Sequence, residues 1–297
     1  SAEGQDNTGN SPFCQTAPCF NNASFSTPAD GSRGRMQMYL WNGPTPDYDG
    51  TADADVIIHE VTHGTSHRLH GNGNGLGNQG SMMGEGWSDF YAHAMLSEPT
   101  DPVNGVYTIG GYATYLASPS FNTNYFYGIR RFPKAVMSAT GGPNNQPYNP
   151  LTFGHLNAGC DSTLGTTTTA VSSAFPRNPV FSTAGSCSQV HNAGEIWSSA
   201  LWEIRALMIQ RLGWAVGNRR VLQIVTDGMK LAPINPTMLE ERDAIIAAAS
   251  ALAAAPENSA DVVDVREGFR IRGFGFSAST QSNTNVTEAF DYYNVLM

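Results

Sequence analysis

Two histidines and a glutamate near residue 60 have the spacing of a metal-binding pair with a neighbouring acid. Residues 59–63 read His-Glu-Val-Thr-His and lie inside a pattern typical of a helix. Side chains four positions apart lie on one helical face, so His59 and His63 can bind the same metal ion. The Glu60 carboxylate lies beside that face, where it can act on a metal-bound water. The spacing therefore predicts a metal site with hydrolytic chemistry.

The position of the third ligand indicates the class of site. Metzincins need a glycine and a third histidine at the positions that Ser66 and Leu69 occupy here, so that class is excluded. The alternative is a carboxylate from a following antiparallel helix. Glu85 and Asp89 are four residues apart, so one can bind zinc while the other accepts a hydrogen bond from a ligand imidazole. Two histidines and one carboxylate leave a zinc position open for water, which is typical of catalytic sites.

The elements that must position these residues are mostly helices. The pattern predicts a strand over residues 35–41, a first helix from Asp53 to the glycines of residues 71–77, and a second from near Gly84 to Pro99. A long helix through residues 196–208 should end at Gly213. Further helices are expected over residues 219–230, 236–255 (with Asn235 as cap) and 260–271. The fold class is therefore α+β and helix-dominated.

The composition describes a packed globular protein with long polar loops. The 297 residues include 16 Lys and Arg against 25 Asp and Glu, which gives a net charge of −9, and 40% are hydrophobic. This charge argues against a nucleic-acid partner or an anionic membrane surface. The longest apolar run, residues 244–255, is shorter than the roughly 20 residues that span a bilayer.

The four cysteines favour an extracellular protein. Pairing of Cys14 with Cys19 and of Cys160 with Cys187 is the simplest interpretation, and four free thiols remain the alternative. No signal peptide is visible in the polar N-terminal residues, so a secreted product would already be processed. We therefore expect a secreted protein.

Several motifs together resemble the fungalysin family of secreted zinc metalloendopeptidases, distant relatives of thermolysin. The similarity extends from about residue 21 to residue 290. It rests on residues 59–64 (HEVTHG), 84–90 (GEGWSDF), 36–39 (MQMY), 128–131 (GIRR), 190–197 (VHNAGEIW), 227–231 (DGMKL) and 235–237 (NPT). The resemblance implies a thermolysin-like zincin with an active-site helix, a second ligand helix and a C-terminal helical subdomain.

The resemblance also implies roles for individual residues. One catalytic zinc would be bound by His59, His63 and Glu85, with Glu60 as general base. His191 would hydrogen-bond the oxyanion of the tetrahedral intermediate, although a capping or core histidine is the alternative. Substrates would be proteins or peptides.

Asn22 and Ala23 would belong to an edge strand whose backbone pairs with an extended substrate. Asp89 would be the acid that orients a ligand histidine. Arg130 and Arg131 could hold a substrate oxygen or pair with buried acids, and neither role is preferred.

The chain departs from the family pattern in two ways. Members have a propeptide and a larger N-terminal sheet subdomain before the zinc helix, so we expect the cleft wall to be partly missing and a propeptide or N-terminal fragment to be a partner. Residues 1–70 would then be a remnant of that subdomain, with the edge strand and active-site helix. Residues 71–297 would be a mainly helical subdomain, with the zinc cleft between the two. The tyrosine that thermolysin-like enzymes carry after the second histidine is absent from residues 72–79.

Calcium is a further hypothesis, and non-catalytic roles are the alternatives to a peptidase. Asp55, Glu98 and Asp101 could contribute to a calcium site, but they offer few of the six to eight oxygens required, and a solvated acidic face is the preferred interpretation. The first alternative hypothesis is a non-catalytic zinc- or peptide-binding module that retains the zincin core. The second is a scaffold protein in which the histidine cluster is accidental.

Overall fold

The structure is a computed structural model that describes residues 1–5, 20–42, 46–70, 76–115, 124–141, 145–157, 159–160, 164, 178, 186–253 and 260–292. Helices dominate these residues, and the strands are few and short. This confirms the helix-dominated α+β class. In the described part of the chain, no helix is both long and apolar enough to cross a membrane.

Short strands form the N-terminal part of the described fold. Strands β1 (Ala2–Glu3), β3 (Arg35–Met38) and β2 (Ala23–Ser26) form a sheet in that order, with β1 parallel and β2 antiparallel to β3. Strand β2 is therefore at an edge. The predicted strand over residues 35–41 is interrupted at Tyr39, after which β4 (Leu40–Trp41) pairs with β5 (Tyr48–Asp49). Two more hairpins consist of β6 (Thr140–Gly141) with β7 (Gln146–Pro147) and of β8 (Ser279–Ser282) with β9 (Asn285–Thr287).

Helix α1 (Ala54–Leu69) carries the histidine pair and begins where the sequence predicts. The Asp53 side chain accepts hydrogen bonds from the backbone N–H groups of Asp55 and Val56, which satisfies donors at the helix start. This cap fixes the first turn of the helix, and His59 and His63 follow one and two turns later.

Helix α2 (Asn78–Leu96) begins six residues before the predicted start at Gly84, so that boundary was wrong. Glycines in α2 and in the long helix over residues 190–212 allow these two helices to cross closely. A Cβ at Gly86 would lie 2.6 Å from the Gly194 carbonyl oxygen, and a Cβ at Gly194 would lie 2.5 Å from Cβ of Glu85. Tertiary packing therefore explains these glycines, and it sets the position of Glu85.

The remaining helices follow the predictions with three changes of boundary. Helix α3 (Asn124–Tyr127) is short, and helix α4 (Val190–Leu212) ends at Gly213, whose φ of 77° suits glycine. Helix α5 (Trp214–Leu231) starts five residues before the expected residue 219.

Helix α6 (Met238–Leu252) is capped by Thr237 and ends before residue 255, and helix α7 spans Ala260–Ile271 as predicted. Thr237 replaces the expected cap Asn235 because its side chain and that of Glu240 form a reciprocal capping box.

A large apolar core joins α2 to the C-terminal helices. Its aromatic centre has Trp197 in contact with the rings of Trp87, Phe269 and Phe274. A disulfide joins Cys160 to Cys187, as predicted, just before α4. The predicted pair Cys14 and Cys19 lies outside the described residues.

Candidate metal centre

Three side chains from two helices converge on one point. The Nε2 atoms of His59 and His63 on α1 are 3.1 Å apart. The Glu85 carboxylate on α2 places Oε2 3.2 Å from Nε2 of His59 and Oε1 3.6 Å from Nε2 of His63. One donor atom from each residue fits within 4.8 Å of the others. Among the described residues, His59, His63 and Glu85 form a cluster of His, Cys, Asp or Glu side chains that is close enough together to hold a metal ion.

Asp89 orients the first histidine of this group. Its Oδ1 is 2.9 Å from Nδ1 of His59. A carboxylate can only accept there, so Nδ1 carries a proton and Nε2 is left to face His63 and Glu85. Asp89 and Glu85 are one helical turn apart, which is why α2 supplies both groups.

Arg130 holds the two carboxylates from the opposite side. Its Nε and Nη2 each donate to Asp89 at 2.7 Å, and Nη2 is also 3.4 Å from Oε2 of Glu85. Arg131 pairs instead with Glu195 through Nε at 2.5 Å. Both arginines therefore pair with buried acids. The sequence left this choice open because loop residues have no periodicity that indicates a partner.

The charges at the centre favour a bound cation. Burial raises the pKa values of Asp89 and Glu85, but Arg130 beside Asp89 and the histidines beside Glu85 hold both well below their usual range. Burial opposes a charge on His59, yet hydrogen bonds to Asp89 and Glu85 raise its pKa to about 10. Burial lowers the pKa of His63 to about 4. Two ionised carboxylates thus stabilise positive charge at Nε2 of His59.

The donor set fits a transition-metal ion. With His63 neutral and Nδ1 of His59 protonated, lone pairs from both imidazoles and Glu85 point at one small volume. Lone pairs this close repel one another unless a proton or a metal cation lies between them. Two imidazole nitrogens and one carboxylate are the usual ligands of zinc where one position is kept for water.

Glu60 is buried next to this group. Burial raises the pKa of Glu60 to about 7, with Glu85 adding to the rise and His59 and Arg130 opposing it. A carboxyl group whose pKa is near neutral can both take up and release a proton at neutral pH, as acid–base chemistry requires.

Comparison with known proteins gives the family. The model of the fungalysin metallopeptidase (M36) family matches residues 2–278. The chain belongs to this fungalysin family. Its members are metallopeptidases, which agrees with the convergence of His59, His63 and Glu85.

Relatives of the chain in this family are fungal proteins named extracellular metalloproteinases. The relative from Aspergillus fumigatus is 33% identical over 283 residues, which cover 90% of this chain and 37% of the relative. The relative from Pyrenophora tritici-repentis is 33% identical over 289 residues, which cover 90% and 36%. Extracellular metalloproteinase 3 of Trichophyton soudanense is 32% identical over 278 residues, which cover 87% and 58%. This chain thus spans 36–58% of their lengths.

His191 of this fungalysin-family chain lies at the first turn of α4, facing the metal centre. Its Nε2 is 3.4 Å from Oε1 of Glu85, and its side chain is 49% exposed. Gln189 places Nε2 2.7 Å from Nδ1 of His191. Because the Gln189 amide nitrogen can only donate, Nδ1 accepts and the imidazole proton lies on Nε2. His191 can therefore donate a hydrogen bond at the open side of the centre.

The edge strand β2 forms part of the cleft around the centre. A cavity of about 400 Å³ is lined by β2 residues and by the metal-centre side chains. Asn22 and Ala23 are among the lining residues, with Ala23 at the start of β2 and Asn22 just before it. Ala23 pairs with Met38 of β3 on the inner side of β2. His67, one turn beyond His63 on the same helix, also lines the cavity.

The three acids considered for calcium do not converge on one point. Asp55 and Asp101 line a different cavity, and Glu98 is exposed. In the part of the chain that the structure describes, these three carboxylates do not form a metal-binding group.

Proposed function

We propose that this chain is a secreted zinc endopeptidase that hydrolyses internal peptide bonds of proteins and peptides. The observation that carries the proposal is the convergence of His59, His63 and Glu85 beside the buried carboxyl of Glu60. Membership of a metallopeptidase family supports it. The names of the relatives support an extracellular location.

His59, His63 and Glu85 would hold the zinc ion, with Asp89 fixing the His59 imidazole. When bound there, zinc supplies a Lewis acid that polarises a water molecule and the scissile carbonyl group. The donor set of two nitrogens and one carboxylate oxygen supports zinc over calcium or magnesium, which prefer oxygen ligands.

Glu60 would be the general base. Its carboxylate takes a proton from the attacking water and later gives that proton to the leaving amine. Burial keeps the pKa of Glu60 close to 7, which suits a group that must both accept and donate. Bound zinc would lower that pKa because a nearby cation favours the carboxylate.

His191 would donate from Nε2 to the oxyanion of the tetrahedral intermediate. The charge on that oxygen develops only during the reaction, so a fixed donor lowers the barrier more than it strengthens substrate binding. Its Nδ1 contact with Gln189 supports this orientation.

The substrate would lie along β2 as an additional strand. Backbone pairing with Asn22 and Ala23 is largely indifferent to side chains, which suits an endopeptidase of broad specificity. In this arrangement residues 1–70 supply β2 and the two histidines, residues 71–297 supply Glu85 and His191, and the cleft lies between them. A propeptide or N-terminal fragment would bind the same cleft.

Casein cleavage by the zinc-loaded chain tests this proposal. We expect fragments that disappear when dipicolinate removes the zinc and return when zinc is added back. Isophthalate, which has the same two carboxylates without the chelating nitrogen, should have no effect. A non-catalytic binding module would give no chelator-sensitive fragments, and that result would overturn the proposal.

A further inference from the structure

A second cavity, which shares no lining residue with the metal cleft, lies between α1, the end of α2 and α4. Its volume is about 660 Å³, within the range of roughly 300–1,000 Å³ that is usual for small-molecule sites. Three ionisable side chains line it together with an apolar wall. The ionisable residues are Asp55, Asp101 and Arg205, and the wall includes Leu96, Phe126 and Trp202. Burial and the neighbouring Asp53 raise the pKa of Asp55 to about 7, so a cation bound beside it would favour its carboxylate form.

Arg205 is a buried cation with no carboxylate in direct contact among the described residues, and Asp101 attracts it only from beyond ion-pair distance. The residue is 3% exposed. Its Nε donates to Oδ1 of Asn218 at 2.7 Å, its Nη2 donates to Oγ of Ser97 at 2.8 Å, and its guanidinium lies 4.2 Å from the centre of the Trp202 ring. All three partners are neutral, and no carboxylate among the described residues lies within ion-pair distance.

A buried charge of this kind is costly unless an opposite charge joins it. Burial lowers the pKa of Arg205 to about 10, so the guanidinium still carries its charge at neutral pH. The two hydrogen bonds and the ring contact hold the group in place. A carboxylate in the cavity would therefore meet a fixed donor and would compensate the charge.

The acids that line the same cavity also lack basic partners among the described residues. Oδ2 of Asp55 accepts a hydrogen bond from the Gly110 N–H at 3.2 Å, and Oδ2 of Asp101 accepts one from the Glu98 N–H at 2.7 Å. Neither carboxylate forms an ion pair with Arg205. One cavity thus presents a cation and two acids that make no direct ion pair with one another among the described residues.

We propose that this cavity binds a small zwitterion with an apolar side chain, in the class of dipeptides with free termini. The carboxylate would bind Arg205, the ammonium group would bind Asp55 and Asp101, and the apolar side chain would contact Phe126 and Trp202. A peptidase releases molecules of this class, but the site is inferred from its own charges and does not depend on the proposed function.

Titration calorimetry on the zinc-loaded chain tests the site, with the metal cleft saturated by a zinc-binding hydroxamate. The probes are the dipeptide Ala-Phe, its C-terminal amide and its N-acetyl derivative. We expect Ala-Phe to bind at one site, and each blocked form to bind at least about tenfold more weakly because it lacks one charged contact. Equal binding of the three probes, or no binding of Ala-Phe, would overturn the proposal.

Two arginine variants on α4 locate the site. Arg205→Gln should weaken Ala-Phe binding at least about tenfold. Arg211→Gln should leave it unchanged, because Arg211 lies outside the cavity and pairs with Asp261 and Asp264. Unchanged binding by a folded Arg205→Gln protein contradicts the proposal. If that variant fails to fold, the comparison of the three probes on the unmodified chain decides the question.

Discussion

Nδ1 of His59 lies 2.9 Å from Oδ1 of Asp89, and this contact directs Nε2 of His59 toward the metal centre. Asp89 is nearly fully buried and is held in turn by Arg130. The carboxylate therefore fixes both the tautomer and the ring orientation of the His59 imidazole.

Removing the charge of Asp89 should weaken zinc binding. We expect Asp89→Asn to lower zinc affinity by about 10- to 100-fold, because the His59 imidazole loses its orienting anion. Competition with a chromophoric zinc chelator measures this change. Asp227→Asn is the matched control. In the described part of the chain, the Asp227 carboxylate on α5 accepts hydrogen bonds from the side chains of Gln223 and Lys230 on the same helix. Equal affinities for both variants would contradict the orienting role.

Zinc affinity should rise with pH over the neutral and alkaline range. Hydrogen bonds to Asp89 and Glu85 raise the pKa of His59 to about 10 against the effect of burial, so the metal-free protein holds a proton on Nε2 below that pH. Zinc must displace this proton. Up to about pH 10, each increase of one pH unit should therefore raise the apparent zinc affinity by up to about tenfold.

Calorimetry at pH 8 in buffers of different ionisation enthalpy counts the protons. We expect release of about one proton per zinc from His59, and a smaller release from Asp89→Asn. Zinc binding without proton release, together with a pH-independent affinity, would show that His59 is already neutral.

His191 should affect catalysis more than binding. His191→Gln removes the donor that faces the oxyanion, so kcat should fall by about 100- to 1,000-fold while KM and zinc content change little. His155→Gln is a control outside the cleft, where the imidazole caps a turn at Thr152. Steady-state kinetics on a peptide substrate separates the two parameters. A rise in KM alone would assign His191 to substrate binding.

The disulfide should stabilise the region before α4. Cys160 and Cys187 are 27 residues apart, and closing a loop of that size stabilises a fold by about 3 kcal/mol. Cys160→Ser combined with Cys187→Ser should lower the free energy of unfolding by that amount in urea titrations. An unchanged unfolding midpoint would mean that the cross-link does not restrict the unfolded chain.

Local patterns were sufficient to predict which side chains converge at the candidate metal centre, and to predict most helices. The spacing of His59 and His63 on a capped helix, and of Glu85 and Asp89 on the next, places four side chains on two facing surfaces without knowledge of the tertiary structure. The bounds of helix α7 also agree with the predicted span from Ala260 to about Ile271.

Features that depend on tertiary contacts could not be predicted. The second helix was expected to start near Gly84, but α2 begins at Asn78. The close approach of Gly194 to Gly86, which leaves no room for a side chain, follows only from the crossing of two helices. The partner of Arg130 follows from the packing of its loop against α2, which no periodicity indicates. The neutral hydrogen-bond partners of Arg205 are visible only once α4 is seen beside the end of α2.

The Glu60→Gln variant tests the central claim most directly. The substitution keeps the size of the side chain but removes the group that would accept the proton from water. We expect the variant to bind one zinc per chain and to lose proteolysis of casein by about 100- to 10,000-fold. Glu98→Gln, an exposed change after α2, should retain full activity. Zinc-loaded Glu60→Gln protein with undiminished proteolysis would contradict the account.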